Sequence, residues 1–411
     1  MLECVFGINP PALTITLRPH QKRAIAAMQK HNRGQVIVPT GGGKTMCMIK
    51  DAEKQFNTNP STIVVVAPRI LLADQLCSEF LEVLDPHNSD PYLHVMHVHS
   101  GETHHTSTTN PEKIHLYANV ARGYGENCII FTTYHSLHRI MEADIEVNAI
   151  YFDEAHNSVQ RNFFPATEFF SGDADRCDFF TATPKHSLTP KKPGMNWGDV
   201  YGQVIANVPA PELVKQGYIL PPKVVIKKLD VIKGRKVMYA EDSDNLLETI
   251  DDNNISKTLI CARSTKQIMG LLSQSDFCMQ LADRGYSWMT ITSKTGAIID
   301  GKKVNREEFF NTLNTWGKDG TKKFVVIHHS ILSEGINVSG LEAVIFVRNM
   351  DYIGISQSIG RVIRLGSTEK TFGLVCIPTY DTVGISTAKK VQAVVDVVFN
   401  QGQPAISEIR R

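Results

Sequence analysis

The chain has 411 residues, 42% of them hydrophobic and 21% charged, with a formal net charge of +1. That length exceeds one ordinary core and implies two or three domains of a globular protein. The near-zero charge excludes a globally basic nucleic-acid binder, so any such contact must come from local patches. The eight cysteines are scattered without a CxxC pair, which points to reduced thiols and not to a disulfide frame or zinc ribbon.

Taken in chain order, residues 1–14 read as an N-terminal extension. Met1-Leu2-Glu3-Cys4 lacks the basic start of a signal peptide, and no apolar run reaches the about eighteen residues of a membrane span, so a cytoplasmic location is expected. Short β-branched runs follow: Val36–Val38, Ile63–Val66, Cys128–Phe131 and Ile150–Phe152. These read as buried parallel strands, with helices such as Lys44–Gln55 and Ile70–Val83 between them. Prolines cluster at 209–222 around a short helix, Glu212–Gln216, which marks a joint. The scheme then repeats, with strands at Thr258–Cys261, Trp288–Thr292, Phe324–Ile327 and Ala343–Val347 and a helix at Arg306–Trp316. Such alternation implies an α/β chain of two doubly wound domains. The expected divisions are 15–210, 211–384, and a C-terminal helix and tail at 385–411.

Three runs carry chemistry. The strand Val36–Val38 enters Pro39-Thr40-Gly41-Gly42-Gly43-Lys44-Thr45 and then a helix. Glycines let backbone N–H groups close on phosphate oxygens at a helix N-terminus. Lys44 would neutralise phosphate charge and Thr45 would ligand Mg²⁺. Val38 stands where the strict phosphate-loop pattern has glycine. Asp153-Glu154-Ala155-His156 follows the strand Ala149–Phe152, so Asp153 can serve the Mg²⁺ shell and Glu154 can position the attacking water. Arg361 and Arg364, after Gln357 and Gly360, are spaced i, i+3 on one face of a predicted helix. There they could stabilise charge developing on a transferred phosphoryl group.

Together these runs resemble superfamily 2 helicases of the DExH type, over roughly residues 15–380. Leu17-Arg18-Pro19-His20-Gln21 is similar to the adenine-reading segment, with Gln21 as reader, and 39–45 to motif I. Ala67–Gln75 resembles motif Ia and Thr132-Thr133-Tyr134 motif Ic. Asp153–His156 resembles motif II, Thr181-Ala182-Thr183-Pro184 motif III, and Thr258–Arg263 motif IV. Ser333–Val338 resembles motif V and Gln357–Arg364 motif VI. The resemblance implies two tandem RecA-like domains and a nucleic-acid-stimulated ATPase using ATP and Mg²⁺. It implies nucleotide contacts from Thr40–Thr45 and Gly335, and catalytic roles for Lys44, Asp153, Glu154, Gln357, Arg361 and Arg364. It implies backbone contacts from Pro68, Arg69, Thr132, Thr133 and Arg263, and coupling through His156, Thr181 and Thr183.

The closest similarity is to restriction-enzyme motor subunits and phage recombination or repair helicases. Asp199–Gly202, Glu212–Tyr218 and Leu332–Asn337 carry it, and Asn337 replaces an aspartate common in relatives. DNA is therefore expected over RNA, gripped through its phosphates by a chain that could act as a monomer. An ATP-switched clamp without unwinding and an RNA helicase are the alternatives. The second α/β half with Arg361 and Arg364 argues against a small-molecule kinase. His94, His97, His99, His104 and His105 crowd one stretch, but they read as strand and loop histidines and not as a metal site.

Overall fold

The computed structural model describes residues 15–87, 90–101, 103–229, 238–292, 294–329, 340–347, 352–364, 372–380, 385–395 and 406–410. The N-terminal extension 1–14, Gly335 and the whole of 333–338 lie outside them. By contacts the chain divides into two units. One comprises residues up to Val36 with Gly43–Phe180 and Pro184–Asn207; the other comprises Ile37–Gly42, Thr181–Thr183 and residues from Val208 onward.

The first sheet holds β1 (Arg33–Ile37), β2 (Thr62–Ala67), β3 (Leu93–Val98), β4 (Thr106–Ser107), β5 (Asn127–Thr133), β6 (Ala149–Phe152), β7 (Arg176–Thr181) and β8 (Val204–Asn207). Their order is β4-β3-β5-β2-β6-β7-β1-β8. β2 pairs in parallel with β5 and β6, β5 with β3, and β6 with β7. Every residue of β2 is buried, as is every residue of β6. A strand covered on both faces needs an unbroken apolar run, and Thr-Ile-Val-Val-Val-Ala is one. Val64, Ile130, Phe152 and Phe179 form part of the core, with the Phe152 and Phe179 rings stacked at 4.9 Å. Because these strands are parallel, the loops after β2, β5, β6 and β7 emerge at one edge, where α/β sheets place their sites.

The second sheet holds β9 (Pro222–Leu229), β10 (Lys257–Cys261), β11 (Ser287–Thr292), β12 (Gly296–Ile299), β13 (Lys302–Val304), β14 (Phe324–His328), β15 (Ala343–Phe346), β16 (Gly373–Tyr380) and β17 (Ile406–Arg410). Their order is β13-β12-β11-β14-β10-β15-β16-β9-β17. The pairs from β11 through β14, β10, β15, β16 and β9 to β17 are parallel. β12 and β13 extend the edge as an antiparallel hairpin. Asp300 and Gly301 turn that hairpin with φ of 44° and 81°, the mirror-image turn that an Asp-Gly pair favours. Lys257 is fully buried, yet its ammonium donates to the Gly317 carbonyl at 2.9 Å and so caps the last turn of the helix Arg306–Lys318.

The C-terminal segment departs from expectation. After the helix Ile385–Val394, the residues expected to be a tail include β17, which pairs with β9 in register Ile406↔Lys223. The alternation Ile406-Ser407-Glu408-Ile409 is short enough to pass for a tail in sequence. Edge pairing supplies its hydrogen bonds. Among the described residues no cysteine forms a disulfide, and no helix is long and apolar enough to cross a membrane.

Candidate functional site

The glycine loop is held open by backbone geometry that only glycine adopts cheaply. Gly41 and Gly43 have φ of 84° and 82°. Gly43 is the left-handed N-cap of the helix Lys44–Phe56. A Cβ on Gly42 would lie 2.6 Å from Val38 Cγ1, and one on Gly43 would lie 2.5 Å from Gln21 Nε2. Val38, at the departure from the strict pattern, is therefore itself packed against the loop. Thr40 Oγ1 is buried without a hydrogen-bond partner among the described residues, and Thr45 is half-buried at the start of the helix.

Gln21 is braced at both ends. Its Oε1 accepts from Arg18 N at 2.9 Å, and its Nε2 donates to the Gly43 carbonyl at 3.2 Å. The side chain thus ties the proline-initiated helix Pro19–Met28 to the phosphate loop.

Lys44 and Glu154 face each other at 3.1 Å, with side chains only 10% and 7% exposed. Glu154 has φ of 45°, a left-handed conformation that a non-glycine residue holds at a cost of about 1–3 kcal/mol. Such strain persists where packing fixes it, here just after fully buried β6. Asp153 is buried, and its N–H donates to Val66 O at 2.9 Å, extending the sheet. Burial first, and then the charge of Glu154, push the Asp153 carboxyl well above the usual carboxylate range, while Lys44 pulls it back. His156 Nδ1 stands 3.6 Å from Glu154 Oε2, and Asn157 Nδ2 donates to the Glu154 carbonyl at 3.1 Å.

Thr181 and Thr183 are both buried, and Thr181 Oγ1 accepts from Thr183 N at 3.1 Å. The Thr181 carbonyl accepts from Val38 N at 3.0 Å, which joins this turn directly to the chain entering the glycine loop.

In the second unit, Gln357 and Arg361 are buried, and Gln357 Nε2 lacks a partner among the described residues. Arg361 sits in the last turn of the helix Tyr352–Val362. The expectation of two arginines on one helical face is corrected for Arg364. The helix stops at Val362, Ile363 accepts from Leu220 N at 2.7 Å, and Arg364 forms an antiparallel bridge with Ile219. The competing pairing with 219–220 peels the chain off the helix before its next turn.

The expected nucleic-acid contacts divide. Pro68 is buried; Arg69 is exposed and begins the helix Ile70–Leu84. Thr132 and Thr133 are interior residues at the end of β5, and Thr132 Oγ1 donates to Val98 O at 2.8 Å. The Thr132 hydroxyl is thus engaged inside the sheet, while His135, two residues beyond Thr133, is exposed. Arg263 is ion-paired at 3.2 Å with Asp242, which also accepts from Gln267 Nε2 at 2.8 Å.

Two polar clusters escape sequence reading. Asp51, Tyr151, Arg176 and Asp178 form one: Tyr151 donates to Asp51 at 2.6 Å, and Arg176 bridges Asp51 and Asp178. One cation serves two buried carboxylates there. Burial outweighs Arg176 and pushes Asp178 up to about 8. Asp74, His97 and His99 form the other, with their ligand-capable atoms together. Burial, then His99, holds the His97 imidazole down at about 4, so it is neutral. Histidine spacing marked two members; Asp74, on a helix, gave no local signal.

Residues 14–186 match the family model described as "Type III restriction enzyme, res subunit". No curated protein matches the chain. Among solved structures, an ATP-dependent Type ISP restriction-modification enzyme, LlaBIII, bound to DNA is 18% identical, with a TM-score of 0.71 over 96% of this chain and 31% of that one. A fragment of a putative HsdR subunit of a type I restriction enzyme from Vibrio vulnificus is 14% identical, with a TM-score of 0.61 over 95% and 67%. Dbp5 of S. cerevisiae bound to RNA and ADP BeF3 is 14% identical, with a TM-score of 0.59 over 95% and 89%. The chain thus spans about a third of the length of the restriction-modification enzyme it matches. Its fold is that of tandem RecA-like helicase domains.

Proposed function

We propose that the chain is an ATP-dependent nucleic-acid helicase or translocase that acts on DNA. The observation that carries this reading is the buried Lys44–Glu154 pair, which joins the mouth of a positive-φ glycine loop to the carboxylates after β6. An ammonium and a carboxylate at that place are what a phosphate chain and an attacking water require. Thr45 and Asp153 fit a Mg²⁺ ion: hydroxyl and carboxylate oxygens are its donor class, and Asp153 is a buried carboxyl whose charged form needs a cation. When bound, Mg²⁺ supplies charge neutralisation of the phosphates. Lys44 adds to that neutralisation. Glu154 orients a water toward the γ-phosphorus and takes its proton as the bond to the β-phosphate oxygen breaks. Arg361 and Arg364 are assigned to the charge on the transferred group, and His156, Thr181 and Thr183 to coupling.

The preference for DNA rests on the restriction-enzyme family match and on the DNA-bound LlaBIII. The test is steady-state ATP hydrolysis titrated with single-stranded DNA, duplex DNA, branched DNA and RNA. Stimulation by DNA well above RNA is expected. Hydrolysis indifferent to every nucleic acid would overturn the motor reading, and stimulation by RNA alone would overturn the substrate. Triplex displacement by a DNA-stimulated enzyme then distinguishes a motor from a clamp that never steps.

A further inference from the structure

We infer that Asp74, His97 and His99 form a binding site for a borderline divalent transition metal, with Zn²⁺ the ion that fits best. His97 is the penultimate residue of β3, and His99, just beyond the strand, follows it with the two-residue spacing that puts both side chains on one face of the sheet. Asp74 reaches that face from the second turn of the helix Ile70–Leu84. His97 Nδ1 lies 2.9 Å from His99 Nε2, and Asp74 Oδ1 lies 3.4 Å from each. In a tetrahedral zinc site with bonds of about 2.0–2.1 Å, neighbouring ligand atoms stand roughly 3.3–3.4 Å apart. Two of the three separations are already there, and the third needs to open by a few tenths of an ångström.

Without an ion the cluster is poorly satisfied. His97 Nε2 and Asp74 Oδ1 are buried and have no hydrogen bond among the described residues. His99 Nδ1 accepts from Gly101 N at 3.2 Å, so neutral His99 carries its proton on Nε2, pointed at His97 Nδ1. That leaves the His97 proton on Nε2, where no group among the described residues accepts it. A metal would take the His97 Nδ1 lone pair and the Asp74 charge. His99 would have to shift its proton from Nε2 to Nδ1 and release the Gly101 amide. Loading therefore moves the backbone at 100–101 and pins the helix that Arg69 begins.

The donor set chooses the ion. Two imidazoles and one carboxylate suit zinc, whereas Mg²⁺ and Ca²⁺ take oxygen ligands. Both histidines are buried and Asp74 is a third exposed, so solvent reaches the site from the aspartate side, where a fourth ligand would sit. His94 is not a member: it pairs with Glu126.

The test uses the full chain, stripped with chelator and free of nucleotide, titrated with Co²⁺ as a spectroscopic probe and then with Zn²⁺ alone. One equivalent of Co²⁺ with tetrahedral visible bands is expected, displaced by Zn²⁺. Asp74→Asn, an isosteric change at a part-exposed residue, should weaken binding by about tenfold or more, as should His99→Ala. His94→Ala should leave binding unchanged. No bound equivalent in the wild-type chain would overturn the proposal. So would equal binding by Asp74→Asn, or a cobalt–thiolate charge-transfer band showing that cysteines hold the ion.

Discussion

Replacing Glu154 with Gln separates two things the structure joins. The carboxylate holds Lys44 at 3.1 Å in a nearly buried pair, and it is also the proposed water-positioning group. An incoming phosphate must take Lys44 away from Glu154. A hydrogen bond to a charged group is worth about 1.5–3 kcal/mol. At about 1.4 kcal/mol per factor of ten, losing that competitor should tighten ATP binding by roughly 10- to 100-fold. Turnover should fall in the opposite sense, by about 10²-fold or more, because a positioned general base contributes on that order. The same change removes a negative neighbour of Asp153, so the acidic limb of ATP binding should move to lower pH. The assay pairs titration of a fluorescent ATP analogue, without nucleic acid, with single-turnover phosphate release at saturating DNA. ATP binding weakened tenfold with release unchanged would show that Glu154 serves nucleotide binding and not the chemistry.

Three further outcomes follow from specific contacts. Arg361→Lys should keep most ATP affinity yet lower stimulated turnover by about 10²-fold or more, because an ammonium lacks the planar fork, and normal turnover would remove Arg361 from the site. Thr132→Val should leave DNA affinity within about twofold while costing roughly 1 kcal/mol of stability in urea melts, since its hydroxyl serves Val98 O; a large loss of DNA affinity would restore it as a contact. Asp178 has a folded value of about 8 against an ordinary value near 4, so its proton is kept by the fold and lost on unfolding. The stability this provides is complete below about pH 4 and disappears as pH rises to about 8, so wild-type stability should fall across that window, and Asp178→Asn should flatten the slope in melts at several pH values.

What the sequence reveals here depends on how local the signal is. The glycine loop, the strand before Asp153 and the alternation of strands and helices are contiguous patterns, and each is dictated by backbone sterics or by burial of both sheet faces. Arg364 was misread because periodicity continues through residue 364 while a pairing with residues 219–220, more than a hundred positions away, ends the helix. The bond from Thr132 to Val98 is not legible in sequence, because a motif position does not say whether its hydroxyl faces solvent or the next strand. Asp74 with His97 and His99, and Asp51 with Arg176 and Asp178, are assembled only by folding. No short motif-length window of sequence contains either full set.

The nucleotide site also shows why a list of contacts overstates affinity. Two of the polar groups proposed to meet ATP already have internal partners: Gln21 braces Arg18 and Gly43, and Lys44 holds Glu154. These bonds keep buried charges and amides satisfied when no ligand is present, and without them the loop would carry an unpaired ammonium close to the core. Binding therefore exchanges partners and adds few new ones, and only the surplus appears as affinity. The exchange has a directional consequence. In the proposed mechanism, phosphate that takes Lys44 would release the Glu154 carboxylate from its cation and leave it free to orient water. In the same proposal, an adenine that engages Gln21 would draw on the brace to the Gly43 carbonyl, so occupancy of the loop and release of the Glu154 carboxylate would act through neighbouring contacts of one loop.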